Sequence, residues 1–390
     1  MQLIVKLTNS CNLCCSYCSE GNQIQKFALN KTLLFKLIDD VPALMDLKKH
    51  KNIDFLWHGG EPLTYPKQDL CDVMDYALEK LALRYNVKFL AQTNLTLLDD
   101  EWLAIIKKYN IGIGVSLDGY QDLHDANRRT VDGKPTYQVV YDNIIKLKEH
   151  DVIPGVLMVL NTCQSIDVER LLGVIKALDV PCKIHAVIPC GNAEGRKDIK
   201  NITANYVLLL KEIYIKLFEE EQQVIIEPLN NLMDAIIGKE TIKECSFAGT
   251  CGESFLCIYN DGSVGFCGRR ADEFDLKYGN LQDSSLLELY KTANAQRIRM
   301  RQTFLKENDC KNCNCFDLCH GGCTFEAAVA KGVPEAKYPH CEERKQLIEF
   351  LRTEGLVIFK KFLIKEKRRY LFSIAKKKEL LRELENREKQ

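Results

Sequence analysis

The sequence lacks net charge, a long apolar run and an N-terminal targeting segment. Lysine plus arginine and aspartate plus glutamate each number 54, so the charge balance indicates neither a nucleic acid partner nor an acidic substrate. No run approaches the roughly 18 apolar residues of a membrane span. Residues 1–8 carry no basic stretch followed by a small-residue cleavage site, and we interpret them as a first strand. These absences favour a cytoplasmic protein without a membrane or nucleic acid role.

Cysteine is abundant, with 18 among the 390 residues. Disulfide scaffolds of secreted proteins are short, whereas this chain is long enough for one large core and a smaller domain. In the cytosol thiols stay reduced, so clustered cysteines indicate metal binding more often than disulfides. The cysteines gather at 11–18, 245–267 and 310–341, which predicts three metal-binding segments.

Alternating β-rich and helical segments fill the chain up to about residue 230. Strands are predicted at Leu3–Leu7, Ile53–Trp57, Val87–Gln92, Ile111–Leu117, Ile153–Leu160 and Lys183–Ile188. Helices are predicted near 31–48, 67–84, 100–109, 137–150, 166–178 and 203–220. Strand–helix units in series imply parallel strands with right-handed crossovers. The predicted fold class is α/β, an open or partial (β/α)6 barrel similar to a TIM barrel.

Polar motifs directly follow four of the predicted strands. They are Cys11-Asn-Leu-Cys-Cys-Ser-Tyr-Cys18, His58-Gly-Gly-Glu-Pro62, Gln92-Thr-Asn94 and Ser116-Leu-Asp-Gly119. In α/β folds the chemistry lies at the carboxyl ends of the strands. One mouth of the barrel is therefore expected to collect all four motifs.

Three regions are predicted, the barrel at 1–235, a small cysteine-rich domain at 240–345 and a basic helical tail at 346–390. In the second region Asn260-Asp-Gly262 predicts a hairpin turn, and the weak apolar periodicity suggests that metal holds the region together. From Lys360 to Gln390 there are 12 lysines and arginines against 5 glutamates, a difference of +7. The tail is interpreted as an amphipathic helix packed on the barrel, with binding of an acidic leader peptide as the alternative.

The first cysteine motif has the spacing C-x3-C-x2-C, formed by Cys11, Cys15 and Cys18. Three thiolates from one loop can hold three irons of a [4Fe–4S] cube and leave the fourth iron open for a ligand. A zinc site is the alternative, with Cys14 as the fourth ligand. Adjacent Cys14 and Cys15 point in different directions, so the spacing favours the cluster.

This motif, with Asn12-Leu13 after the first cysteine and Tyr17 before the last, resembles that of the radical S-adenosylmethionine (SAM) superfamily. Four further segments are similar to the family's motifs: Gly59-Gly60-Glu61-Pro62, Gln92-Thr-Asn94, Ser116-Leu-Asp118 and His124-Asp-Ala-Asn-Arg128. The resemblance implies that SAM binds the open iron and is cleaved to a 5′-deoxyadenosyl radical. That radical removes a hydrogen atom from an unactivated carbon of the substrate.

The resemblance also implies which residues contact SAM. Its methionine end is a zwitterion, whose ammonium needs acceptors and whose carboxylate needs donors. The ammonium is assigned to Gly59, Gly60, Glu61 and Pro62. The carboxylate is assigned to Ser116 and Arg128, the adenine to Tyr17, and the ribose or methionine to Asn94 and Asp118. The alternative for Asp118 and Arg128 is a buried structural ion pair.

The remaining clustered cysteines resemble those of the SPASM domain, which carries auxiliary clusters in peptide-modifying radical SAM enzymes. By this resemblance the first auxiliary [4Fe–4S] cluster is held by Cys251, Cys257, Cys267 and Cys323. The second is held by Cys310, Cys313, Cys319 and Cys341. Together with the first motif this makes three [4Fe–4S] clusters. Two zinc ions on the same eight cysteines are the alternative, and Cys14, Cys245 and Cys315 are kept as alternative ligands.

Enzymes with this pair of domains mostly modify peptides, either by making formylglycine in sulfatases or by cross-linking ribosomally made peptides. The sulfatase-maturating group is similar in length and cysteine layout, but it carries an aspartate directly after the third upstream cysteine, thought to act as a base. Here that position is Gly268, followed by Arg269 and Arg270. We therefore expect oxidative thioether or carbon–carbon cross-linking, with sulfatase maturation as the alternative.

A proton acceptor is still needed for either reaction, and Asp118, His185 and Tyr259 are the candidates, with Asp118 and Tyr259 preferred. The expected partners are a peptide with a leader sequence and an external electron donor such as flavodoxin or ferredoxin. The first strand begins at the start of the sequence, so no separate peptide-recognition domain is expected before it.

Overall fold

The strands form one mixed sheet. The computed structural model describes residues 1–21, 27–162, 165–195, 202–219, 224–238, 242, 244–269 and 276–366. The strands are β1 (Gln2–Thr8), β2 (Asn52–Gly59), β3 (Asn86–Thr93), β4 (Gly112–Ser116), β5 (Gly155–Leu160), β6 (Cys182–Ala186), β7 (Ile226–Glu227), β8 (Phe255–Ile258), β9 (Ser263–Gly265) and β10 (Gly279–Asn280).

Helices connect the strands and extend beyond them. They are α1 (Lys31–Lys48), α2 (Lys67–Leu81), α3 (Asp100–Lys108), α4 (Gln121–Asn127), α5 (Tyr137–Glu149), α6 (Val168–Leu178), α7 (Ile202–Glu219), α8 (Leu229–Gly238), α9 (Cys245–Ala248), α10 (Leu286–Lys291), α11 (Ala293–Glu307), α12 (Phe316–Cys319), α13 (Thr324–Lys331), α14 (Cys341–Phe350) and α15 (Leu356–Glu366). Short 3-10 helices lie at Pro62–Thr64 and Gly191–Ala193, and a π-helix at Leu351–Gly355 joins α14 to α15.

The sheet runs in the order β10-β9-β8-β1-β2-β3-β4-β5-β6-β7, and β1 to β7 are mutually parallel. Because β10 and β7 are the two edges, the sheet curves without closing. The predicted α/β class with an open parallel sheet is confirmed, and all six predicted strands are present. Polar motifs at the ends of β1 to β4 therefore share one edge of the sheet.

Alternation of side chains places one face of each strand against the helices. In β2, Ile53, Phe55 and Trp57 are fully buried, and the residues between them are less buried. In α1 the residues at Leu34, Leu37, Ile38 and Val41 follow helical spacing and are buried in the same core. The opposite face of the strands lines the inside of the open barrel.

The cysteine-rich region is built onto this sheet. Strand β8 pairs in parallel with β1, in the register Leu3 with Leu256 and Val5 with Ile258. Strands β8 and β9 form an antiparallel hairpin, and Gly262 in its turn has a φ of +82° that suits glycine. The expectation that metal holds this region together stays a prediction, and the structure adds that its short apolar strands bury their side chains in the main core.

The C-terminal helices pack on the barrel. The Tyr214 hydroxyl on α7 donates to the carbonyl oxygen of Gly355 at 2.9 Å, and its ring meets Phe350 edge-on. The predicted basic segment after Glu366 lies outside the described residues. Within the described ranges, no helix has the length and apolar character needed to cross a membrane.

Candidate active site at the carboxyl edge of the sheet

The loop that carries Cys11, Cys15 and Cys18 follows β1 and lies on the segment after α4. The backbone N–H of Cys14 donates to the Arg129 carbonyl at 2.8 Å, and that of Ser16 donates to the Asn127 carbonyl at 2.9 Å. Within the loop the Cys18 N–H donates to the Cys15 carbonyl at 3.2 Å. The loop is therefore held in shape from both sides.

The three thiols ionise poorly because they are buried. Burial, with smaller effects of Glu61 and Cys18, raises the pKa of Cys11 to about 11, and burial raises that of Cys15 to about 12 although the Arg128 guanidinium acts to lower it. Burial also raises the pKa of Cys18. Iron would supply the positive charge that three thiolates need here, so the donor set fits a cluster. Within the described ranges, no three His, Cys, Asp or Glu side chains are grouped closely enough to hold one metal ion. The assignment of a cluster therefore rests on the three thiols and on the loop that carries them.

Gly59 and Gly60 allow the end of β2 to touch the end of β1. A Cβ on Gly60 would lie 2.2 Å from the Ser10 carbonyl oxygen, and one on Gly59 would lie 2.2 Å from that of Thr8. Instead, the Gly60 N–H donates to the Thr8 carbonyl at 2.7 Å. The two glycines thus place the loop beside the first cysteine.

Glu61 is buried at the end of this loop and is held by three donors. Its Oε1 accepts from the Leu63 N–H at 3.0 Å and the Thr93 hydroxyl at 2.6 Å, and its Oε2 accepts from the Asn94 N–H at 2.7 Å. An ionised carboxylate has about four acceptor sites, so one site on Oε2 stays available for the ammonium of SAM. Pro62 begins the 3-10 helix that provides the Leu63 donor.

We expect Glu61→Gln to lower the affinity for SAM by about 10- to 100-fold, the range for loss of a charge-assisted hydrogen bond. Burial raises the pKa of Glu61 to about 7, and a bound ammonium would favour the ionised form. Calorimetric titration of the reconstituted protein measures the change. Thr93→Val is the matched control, because it removes one donor and keeps the charge. Equal affinities for the Gln variant and the unaltered protein would contradict the assignment.

Asn94 connects β3 to the cysteine loop. Its Nδ2 donates to Asn12 Oδ1 at 3.0 Å and lies 3.9 Å from Cys11 Sγ. Ser116 ends β4, where its hydroxyl accepts from Gln92 Nε2 at 3.1 Å. Both residues therefore lie at the predicted mouth of the barrel, and their contacts with SAM stay a prediction.

Asp118 and Arg128 form a buried ion pair, the alternative considered from the sequence. Arg128 Nε donates to Asp118 Oδ2 at 2.8 Å, and the Tyr17 hydroxyl donates to the same oxygen. Asp118 Oδ1 accepts from the Val159 N–H at 2.9 Å. Arg128 Nη1 also lies 4.0 Å from Cys15 Sγ. The pair ties the cysteine loop to β4 and β5, while the predicted roles of these residues toward SAM stay predictions.

The predicted ligands of the first auxiliary cluster come from distant parts of the chain. Cys257 lies on β8, Cys267 follows β9 and Cys323 precedes α13. Burial raises the pKa of Cys323 well above its ordinary value, and the thiols of Cys251 and Cys267 are close enough to raise it further. These contacts support the grouping of Cys323 with the upstream cysteines.

Three members of the second auxiliary set lie close together in sequence, and Cys341 is the distant fourth. Burial raises the pKa of Cys310 to about 11, and the neighbouring thiols of Cys313, Cys319 and Cys341 raise it by smaller amounts. Between the two sets lies Arg301, whose buried guanidinium donates to the carbonyl oxygens of Gly321 at 2.9 Å and Gly322 at 3.0 Å. This arginine fixes the loop that separates the two sets.

A cleft lies between the end of β6, α7 and the cysteine-rich region. Val187 lines it and also packs with Tyr17 of the first cysteine loop. Arg269 lines the opposite end, where its Nη1 lies 3.7 Å from Cys323 Sγ. The cleft is therefore lined by one neighbour of the first cysteine loop and one neighbour of Cys323, and it is the candidate substrate site.

Gly268 packs directly against β1. A Cβ at this position would lie 3.3 Å from two carbons of the Ile4 side chain, which is tight contact. The nearby Tyr259 hydroxyl donates to the Cys267 carbonyl at 2.8 Å, so its proton is already engaged. Arg270 lies outside the described residues.

Several charged groups of the site were not recognised in the sequence. Lys6 on β1 is 2% exposed, contacts Glu20 at 2.8 Å and lies over the Tyr259 ring. Glu244 and Lys183 form a pair at the cleft with a separation of 2.7 Å. A lysine inside a β-rich segment is a weak signal that could have identified Lys6 and Lys183, but Glu244 stands in no motif.

Relatives of known activity match across both parts of the chain. A cysteine-type anaerobic sulfatase-maturating enzyme of Clostridium perfringens is 26% identical over 371 residues, which cover 90% of this chain and 96% of the relative. A serine-type anaerobic sulfatase-maturating enzyme of Bacteroides thetaiotaomicron is 25% identical, covering 84% of each chain. The fold matches the solved structure of native anSMEcpe with bound AdoMet and Cp18Cys peptide, with a TM-score of 0.77, 22% identity and coverage of 92% and 98%.

These relatives show that the expectation of peptide cross-linking was wrong. It rested on the missing aspartate after Cys267, and it gave one position more weight than the likeness of the whole chain to sulfatase-maturating enzymes. The close packing of Gly268 against Ile4 gives that glycine a structural reason. Position 268 alone therefore does not decide the reaction.

Two family models match the two parts of the chain. The radical SAM superfamily matches residues 5–172, which carry the first cysteine loop and the motifs at the ends of β1 to β4. The SPASM iron–sulfur cluster-binding domain matches residues 245–314. This range carries five of the eight predicted auxiliary ligands, Cys251, Cys257, Cys267, Cys310 and Cys313. These domains imply [4Fe–4S] clusters, with SAM as the co-substrate. The chain therefore carries a radical SAM domain followed by a SPASM domain.

Proposed function

We propose that this enzyme oxidises a cysteine or serine side chain of a sulfatase peptide to the aldehyde formylglycine. The observation that carries the proposal is the likeness to sulfatase-maturating enzymes, which spans the barrel and the cysteine-rich region together rather than one domain. A radical SAM domain alone would be compatible with many reactions. The combined match favours a peptide side chain as the substrate.

The cleft supports a peptide as the substrate. Charged and polar groups line it, among them Arg269, Arg344 and Glu326, and Tyr206 and Val187 add apolar surface. This mixture suits a peptide, whose backbone is polar and whose side chains vary in polarity.

The protein's own residues bind, orient and shield the reactants. When bound, the first cluster with SAM supplies a radical that removes a hydrogen atom, and the auxiliary clusters take up the second electron. Glu61 and the two glycines would hold the amino acid end of SAM. The Asp118–Arg128 pair keeps the cysteine loop in register with β4 and β5. Buried side chains around the loop, such as Tyr17, exclude water from the reacting carbon.

An external one-electron donor of the flavodoxin or ferredoxin type is part of the proposal, because SAM cleavage consumes an electron. A leader segment on the peptide and a cytoplasmic location stay predictions from the sequence.

The test is incubation of the reconstituted enzyme with SAM, a reductant and a synthetic sulfatase peptide that carries the target cysteine. We expect mass spectrometry to find a product that has lost its sulfur and gained an aldehyde, detectable with a carbonyl-specific hydrazine. The same peptide with serine tests the second substrate class. A peptide with alanine at the target is the control and should stay unmodified. A product that has lost two hydrogens and kept its sulfur would contradict the proposal.

A further inference from the structure

The proposed oxidation needs a group that accepts a proton. After loss of a hydrogen atom from Cβ and of one electron, the thiol or hydroxyl of the target side chain is strongly acidic. Its proton must reach a base before the new double bond to sulfur or oxygen is complete. Position 268, directly after Cys267, is a glycine and provides no such group.

Glu244 is a buried carboxylate on the cleft with one oxygen available. Its side chain is 4% exposed, and its Oε2 lies 2.7 Å from Lys183 Nζ. Its Oε1 is buried and, within the described part of the chain, has no hydrogen-bond partner. A buried acceptor left unpaired costs free energy. A donor from a bound ligand would remove that cost.

The charge state of Glu244 suits a base. Burial raises its pKa, but the charge of Lys183 and hydrogen bonds from Lys183 and the Ser246 backbone outweigh burial and leave the pKa below its usual value. The carboxylate is therefore ionised at neutral pH. Its neighbour His185 is neutral there, because burial lowers the pKa of that imidazole to about 3. A weak base is sufficient, since the oxidised side chain is a strong acid.

The position of Glu244 also fits. It precedes α9 and lines the cleft together with His185 on β6 and Arg269. A substrate side chain in that cleft would lie beside Glu244. By contrast, both oxygens of Asp118 accept hydrogen bonds from Arg128, Tyr17 and Val159, and the Tyr259 hydroxyl is itself a donor.

We infer that Glu244 is the catalytic base that takes the proton from the target side chain, an inference that rests on the proposed function. For a cysteine target, SAM on the first cluster would supply the radical that takes one hydrogen atom from Cβ. An auxiliary [4Fe–4S] cluster would take up one electron, and the Glu244 carboxylate takes the thiol proton. The carbon–sulfur bond becomes a double bond, and water converts the thioaldehyde to the aldehyde with release of hydrogen sulfide.

The test compares Glu244→Gln with the unaltered enzyme on a peptide deuterated at the target Cβ. We expect aldehyde formation to fall by about 100-fold or more, the usual contribution of general-base catalysis. Formation of 5′-deoxyadenosine should continue and should carry deuterium, because hydrogen abstraction precedes proton loss. Iron content and peptide affinity, measured by fluorescence anisotropy, should be unchanged. Glu244→Asp should recover part of the aldehyde.

Glu227→Gln is the matched control. Glu227 pairs in register with Lys183 across β6 and β7 and is partly buried, but it does not line the cleft. We expect this variant to form aldehyde at the unaltered rate. Aldehyde formation at the same rate by Glu244→Gln would overturn the inference and leave the proposed function standing. Loss of 5′-deoxyadenosine together with aldehyde would assign Glu244 a structural role and also overturn it. Absence of aldehyde from the unaltered enzyme would instead overturn the proposed function.

Discussion

Replacement of Cys11, Cys15 and Cys18 together by alanine is expected to abolish SAM cleavage completely. The unaltered enzyme should hold about 12 irons in three cubes, and the variant should lose about four of them. The auxiliary cysteines lie elsewhere in the chain, so their clusters should be retained. Iron analysis and chromatographic detection of 5′-deoxyadenosine after anaerobic reconstitution measure both effects.

Cys14→Ala is the matched control for that variant. Cys14 lies in the same loop and is exposed, and its backbone N–H donates to the Arg129 carbonyl. We expect normal iron content and normal SAM cleavage. Loss of about four irons from this variant as well would make Cys14 a ligand. Normal SAM cleavage by the triple variant would contradict the cluster assignment altogether.

Gly60→Ala is expected to have the second largest effect, from the addition of one methyl group. The new Cβ would lie 2.2 Å from the carbonyl oxygen and 2.6 Å from the carbonyl carbon of Ser10. These are backbone atoms directly before Cys11 and cannot rotate away. Relief of an overpacked contact costs roughly 1–3 kcal/mol, and here it would displace the two loops that are predicted to hold the cluster and SAM. We expect SAM affinity to fall by about 100-fold, with a reduced iron content.

Gly173→Ala serves as the control for that substitution. Gly173 lies within α6, and a Cβ there would meet no atom within 4 Å. Alanine favours a helix over glycine by about 1 kcal/mol, so this variant should be slightly more stable and equally active. Thermal unfolding and SAM titration separate the two cases. Unchanged SAM affinity in Gly60→Ala would show that the loop tolerates the displacement.

Much of the fold could be predicted because the barrel follows local rules. The strand at Leu3–Leu7 and the helix at 31–48 show clear apolar periodicity, and the structure has them at Gln2–Thr8 and Lys31–Lys48. The parallel pairing of β8 with β1 could not be predicted in this way. That contact joins segments about 250 residues apart in sequence, and a four-residue strand carries too few side chains to identify its partner.

The candidate site also has residues that could be predicted from the sequence and residues that could not. Glu61, Asn94, Asp118 and the cysteines of the first loop stand in recognisable motifs, and the structure brings them to one edge of the sheet. Glu244 stands in no motif, and only the fold shows that it lines the cleft and that one of its oxygens is buried without a partner among the residues the structure describes. The prediction of cross-linking was wrong for the same reason. The absence of an aspartate after Cys267 is visible in the sequence, whereas a carboxylate that folding brings in from another segment is not.

The central claim is that the enzyme removes a hydrogen atom from the Cβ of a cysteine or serine and leaves an aldehyde. The most direct measurement is the joint yield of formylglycine and 5′-deoxyadenosine from the peptide deuterated at that carbon. We expect one labelled 5′-deoxyadenosine for each aldehyde formed. Unlabelled 5′-deoxyadenosine with an unchanged peptide, or a labelled one with a product that keeps its sulfur, would contradict the account.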